Sequence, residues 1–162
     1  ITMSGRLDQP PAYYLPFNAW VDIFGASEVS TRSFSTLVGI GSIFVIFLVG
    51  RELFGKDVGL LSAFIMAVSE LQITYSQTAR FYNLFEFFAL LSFLFFILAI
   101  QKKRVIHFFL YWLASVLMVY SNLFGVFIFV AQNLYILLRN REYKEILVAW
   151  FVSQTLILLP PG

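Results

Sequence analysis

Residues 105–138 read VIHFFLYWLASVLMVYSNLFGVFIFVAQNLYILL, without one Asp, Glu, Lys or Arg. As a single helix at about 1.5 Å per residue this stretch would run on the order of 50 Å, against a bilayer core of roughly 30 Å. It therefore has to turn. Ser121-Asn122 with Gly125 is the one polar, flexible point at which it can. The stretch is accordingly two apolar helices, Val105–Tyr120 and Leu123–Leu138, joined by a short turn.

Outward from there the pattern repeats. Apolar runs lie at Phe34–Gly50, Val58–Ser69, Leu84–Ile100 and Ile146–Leu159. Each is at or below the roughly 17–25 residues of a typical span, which surrounding helices and flanking aromatic residues make tolerable. The expectation is an all-α, polytopic transmembrane bundle of about six spans. Composition agrees, with 162 residues, 60% hydrophobic, 19% aromatic, only 12% charged and a mean hydropathy of +0.83. A soluble domain carries far more charge. The absence of cysteine excludes disulfides and thiolate metal sites.

The net charge of +2 does not point to nucleic acid, because the basic residues fall in short loops between apolar runs. One set of loops holds Arg51, Lys56, Lys102, Lys103, Arg104, Arg139, Arg141 and Lys144, whereas the other holds only Arg6, Arg32 and Arg80. The positive-inside rule puts the first set in the cytoplasm. Residues 1–33, the 70–83 segment, the Asn122 turn and Pro160-Pro161 then face the other side. Such a topology, with an outside start at Ile1 and no span before it, leads us to expect a fragment of a longer polytopic protein.

The outer N-terminal segment has a pattern of its own. Pro10-Pro11 can open a helix. Ala12–Phe24 is then apolar and aromatic except for Asn18 and Asp22, which lie four apart on one face. Such a helix lies in the membrane interface, bent by Pro16 and ended by Gly25. Ser27 is placed to cap the next helix, with Glu28 in its favourable first turn.

Polar side chains gather where Tyr75-Ser76-Gln77-Thr78-Ala79-Arg80-Phe81-Tyr82-Asn83 meets the apolar run that follows. On one continuous helix Gln72, Ser76, Arg80 and Asn83 would share an arc of about 80°, with Glu86 at its edge. Ionisable groups at membrane depth are costly and tend to face a partner or a wet cavity. Arg80 either snorkels to lipid phosphate within a packing network or holds an anionic substrate, for which a guanidinium fork is well shaped. Asp8 caps the helix that follows or belongs to the chemistry. Glu70 is a solubilising charge at an interface, or an acid that binds metal or activates a hydroxyl. Gln132 and Asn133 read as interhelical hydrogen-bonding groups. Gly55 and Gly59 have GxxxG spacing but flank the Lys56-Asp57 loop, which argues against a dimer face.

Four short motifs, in order, resemble a known family. Asp8-Gln9-Pro10-Pro11-Ala12-Tyr13-Tyr14 with Phe24-Gly25, Ser27-Glu28 and Arg32 resembles the first outer loop of GT-C glycosyltransferases, in the protein O-mannosyltransferase and aminoarabinose-transferase-like branch. Gly50-Arg51-Glu52-Leu53-Phe54-Gly55 resembles their following cytoplasmic turn. Tyr75–Tyr82 resembles their outer YSQEAR-x-Y segment, and Tyr120–Gly125 a later Y-T-H-Y-F-G turn. The likeness runs from about residue 8 to 140. It departs at Thr78, where the family often has Glu, and at Asn122, where it often has His.

The resemblance implies that residues 1–162 are the N-terminal part of a GT-C transmembrane domain, with 1–33 as outer loop and interfacial helix and 34–159 as membrane helices. It implies an integral enzyme of the plasma membrane or endoplasmic reticulum. That enzyme would transfer a sugar from a polyprenyl-phosphate donor to a protein, lipid or glycan acceptor on the non-cytoplasmic side, with a divalent metal possible. Asp8 and Glu70 are then candidate catalytic acids, beside a principal acid expected upstream of Ile1. Arg80, Gln77, Tyr82, Asn83, Tyr13 and Tyr14 are candidate substrate-binding residues. The main alternative is a transporter or flippase whose polar outer face is a substrate pathway.

Overall fold

The computed structural model describes residues 11–77 and 82–138, the side chains of 11–15, 76 and 77 excepted. These residues form seven helices: α1 (Pro11–Phe24), α2 (Glu28–Phe54), α3 (Lys56–Ala67), α4 (Glu70–Gln77), α5 (Tyr82–Lys102), α6 (Val105–Ser121) and α7 (Gly125–Leu138). The described residues are all-helical, and their apolar helices expose large hydrophobic side chains, the character of an integral membrane protein.

Two helices, α2 and α5, are long and apolar enough to cross a bilayer, while α6 and α7 are shorter apolar helices. The expected run Val58–Ser69 gives a helix shorter than the bilayer core. It is the 12-residue α3, about 18 Å long, which stops at Val68 before α4 begins. The run Ile146–Leu159 lies outside the described residues.

Local chemistry sets the ends. The Ser27 hydroxyl accepts from the Ser30 amide at 3.2 Å and caps α2, with Glu28 in its first turn. The other end of α2 closes on Gly55, whose φ of +97° suits a residue without a β-carbon and whose amide donates to the Arg51 carbonyl. The α6–α7 turn falls where the sequence placed it. Asn122 adopts an extended conformation, and its Oδ1 accepts from the Phe124 amide at 3.0 Å.

Helix α2 is the element the others collect on, with α3, α4, α5 and α1 all packed against it. Its buried side is small and partly polar: Ser35, Gly39, Ser42 and Gly50. Gly50 and Gly59 meet so closely that a β-carbon on Gly50 would lie 2.8 Å from the Gly59 α-carbon. Of the GxxxG pair, Gly59 thus serves an intrachain hairpin with Gly50, while Gly55 ends α2. Helix α1 docks on α2: Phe17 and Trp20 pack on Phe34, and Trp20 Nε1 donates to the Ser30 carbonyl at 2.9 Å. Asn18 and Asp22 are exposed.

A second core joins α5, α6 and α7 through Phe96, Ala99, Phe108, Tyr111 and Ile136. Inside it Ser92 and Ser115 exchange a hydrogen bond at 2.9 Å, and Tyr111 donates to Gln132 Oε1 at 3.0 Å. Gln132 is the expected interhelical group. Asn133 Nδ2 also donates to the Phe129 carbonyl of its own helix at 2.8 Å.

Candidate functional site

Gln72 and Glu86 are fourteen positions apart, which on one straight helix would separate them by about 21 Å. Their side chains meet. The amide of Gln72 lies 2.8 and 3.1 Å from the two carboxylate oxygens of Glu86. The continuous polar stripe expected over 72–86 is therefore replaced by two helices, with α4 folded back beside α5. Both are held to α2: the far end of the Gln72 amide is 3.3 Å from the Gly39 carbonyl, and Asn83 Nδ2 donates to the Ser35 carbonyl at 2.9 Å. Those two carbonyls are one turn apart on α2.

The fold-back opens a cavity of about 760 Å³ between α2, α3, α4 and α5. Its inner wall is apolar, formed by side chains such as Ile46, Ile65, Leu90 and Phe93. Ser69, Gln72, Tyr75, Tyr82 and Glu86 give the rest of the wall its polar atoms. The Tyr75 and Tyr82 rings stack at 5.4 Å, closing α4 onto the start of α5. Along α5 the lining runs from Tyr82 to Phe93, about 16 Å of helix. The shape suits an amphiphile with a polar head and an apolar body.

Of the expected site residues, Tyr82 lines this cavity. Glu70 stands at its rim, exposed in the first turn of α4 between Ser69 and Leu71, which both line it. Asn83 is 2% exposed, and its amide is spent on α2 rather than directed at the cavity. The helix α1 carries Tyr13 and Tyr14, and α4 ends at Gln77, but those three side chains lie outside the described residues, as do Asp8 and Arg80 entirely. Among the described residues no three His, Asp or Glu side chains come together as metal ligands.

Two residues absent from the expected set belong to the cavity. Spacing alone puts Glu86 at the edge of a stripe and Gln72 within it, because their meeting depends on the turn between α4 and α5. A carboxylate at the third position of a run as apolar as LFEFFALLSF is the available signal.

The sequence profile described as dolichyl-phosphate-mannose-protein mannosyltransferase matches residues 8–161. An "Uncharacterized protein" of Aquifex aeolicus (strain VF5) is 29% identical over 154 residues, covering 94% of this chain and 31% of that protein. The "Putative mannosyltransferase YkcB" of Bacillus subtilis (strain 168) is 29% identical over 100 residues, covering 62% of this chain and 14% of its own length. The chain thus spans a third or less of these relatives. No solved structure matches. With the profile covering nearly its whole length, on an all-helical membrane architecture, the chain belongs to the dolichyl-phosphate-mannose-protein mannosyltransferase family, of GT-C type.

Proposed function

We propose that this chain is the N-terminal part of a multispanning glycosyltransferase that moves a sugar from a polyprenyl-phosphate donor to a hydroxyl-bearing acceptor on the non-cytoplasmic side. The observation that carries this reading is the cavity beside α5, apolar along its wall and polar around Glu86, Gln72 and the two tyrosines. A lipid-linked sugar has that division of character. Family membership supports the same donor class.

In the proposed reaction the acceptor oxygen attacks the anomeric carbon, the bond from that carbon to the phosphate oxygen breaks, and a carboxylate takes the hydroxyl proton. The phosphate leaves with its negative charge held by a cation. Arg80, two positions before Tyr82, is the proposed phosphate ligand. Asp8 and Glu70 are the proposed carboxylates in this part of the chain, with Tyr82, Gln77, Tyr13 and Tyr14 flanking the donor. Asn83 contributes by pinning α5 to α2. The remaining spans of a six-helix arrangement, and the placement of the site in a plasma or endoplasmic reticulum membrane, belong to the same proposal.

The test is transfer of radiolabelled mannose from polyprenyl-phosphate mannose in membranes carrying the full-length protein and its Arg80→Ala variant. We expect transfer by the parent and a loss of at least roughly a hundredfold in the variant, at equal amounts of folded protein. Full activity in the variant removes Arg80 from the site. No transfer from any donor by well-folded parent rejects the enzyme and favours a transporter or flippase.

A further inference from the structure

We infer that Glu86 and Gln72 read hydroxyl groups on the sugar of the lipid donor, making Glu86 a specificity-determining residue; this rests on the glycosyltransferase reading above. The hydrogen-bond bookkeeping of the pair points to a ligand that brings protons. With Gln72 Nε2 toward Gly39, its distance to that carbonyl is 3.3 Å, and the amide oxygen then faces the Glu86 carboxylate. With the amide turned over, Nε2 donates to both Glu86 oxygens, at 2.8 and 3.1 Å, which relieves that clash. The half-buried carboxylate on the cavity wall still keeps lone pairs open to further donors, a demand that the amide alone does not fill.

The surroundings narrow what resolves it. Among the described residues no Lys or Arg pairs with Glu86. A phosphate there would set anion against anion. A hydrocarbon tail would leave the carboxylate dry. Hydroxyl groups donate to both a carboxylate and an amide oxygen, and the amide can turn to accept or donate as they require. The stacked Tyr75 and Tyr82 line the same cavity and offer aromatic surface to the apolar face of a sugar ring. A polyhydroxylated head with an apolar body meets all of these demands. The competing resolution is the carboxyl's own proton, shared with the Gln72 oxygen, which would make the pair purely structural.

Glu86→Gln separates the two. It keeps the shape and donates to Gln72 as a protonated carboxyl would, but removes the charged acceptor. The full-length protein and this variant are assayed with polyprenyl-phosphate mannose and with each of its monodeoxy analogues. In the parent we expect at least one analogue to lose tenfold or more in kcat/KM, since a site built around a hydroxyl rejects the ligand lacking it. In Glu86→Gln that penalty should shrink to roughly threefold or less, with a raised KM for the full donor. An unchanged penalty in the variant, or none in the parent, overturns the inference while transfer by the parent leaves the enzyme reading standing. Absence of transfer by the parent from every donor overturns both. If Glu86→Gln does not fold, Glu86→Met, which likewise removes the carboxylate at similar length, carries the same expectation and the same refutation.

Discussion

At Gly59 a β-carbon would lie 2.6 Å from the Phe47 carbonyl oxygen and 3.0 Å from the Arg51 amide nitrogen, backbone atoms that cannot turn aside. At Gly41 the nearest atom is Cε2 of Phe87 at 3.0 Å, the far end of a ring that can shift. Gly59→Ala should therefore cost about 1–3 kcal/mol by forcing α2 and α3 apart, with Gly41→Ala costing clearly less. Thermal unfolding of the two variants in the same detergent checks the order, and equal losses would refute the argument. Residues of this kind also mark what the sequence discloses. Ser27, Gly55 and Asn122 were legible because caps and turns are written in neighbouring residues. Glu86 beside Gln72 was not, since their contact depends on how α4 returns along α5.

Among elements, α5, α6 and α7 are tied by the buried set Ser92, Ser115, Tyr111 and Gln132. Within it Gln132 meets both Ser92 and Tyr111. Gln132→Leu should lower stability by about 1–2 kcal/mol, because the Tyr111 hydroxyl loses its acceptor in a dry core. Adding Tyr111→Phe should restore part of that loss, a coupling of about 0.5 kcal/mol or more in a double-mutant cycle. Strictly additive losses would show that the two groups act independently. The apolar helices themselves were legible from composition, and α6 and α7 divide at the expected turn. The short α3 and α4 were harder. Hydropathy records how greasy Val58–Ser69 is, and not that the chain stops at Val68 and sets off again.

For the whole molecule, orientation is the property that every proposed role depends on. The natural sequence has no cysteine, so single introduced thiols report without background. In the proposed topology Leu123→Cys, at the exposed α6–α7 turn, reacts with a membrane-impermeant maleimide in intact cells. Asp57→Cys, at the exposed start of α3, reacts only after permeabilisation. The reverse pattern would invert the bundle and place the cavity on the cytoplasmic side.

The two anchors on α2 also carry a consequence for the order in which the molecule is made. The Ser35 and Gly39 carbonyls take their partners from residues 48 and 33 positions later in the chain. A ribosome delivers α2 first, then α3, and only after both of these helices Gln72 and Asn83. During that interval the small, polar flank of α2 has only its own helix and the α3 hairpin for company. The hairpin closed by Gly50 and Gly59 is thus a natural first stage of assembly, and the cavity comes into being only when α4 and α5 arrive to claim the vacant flank.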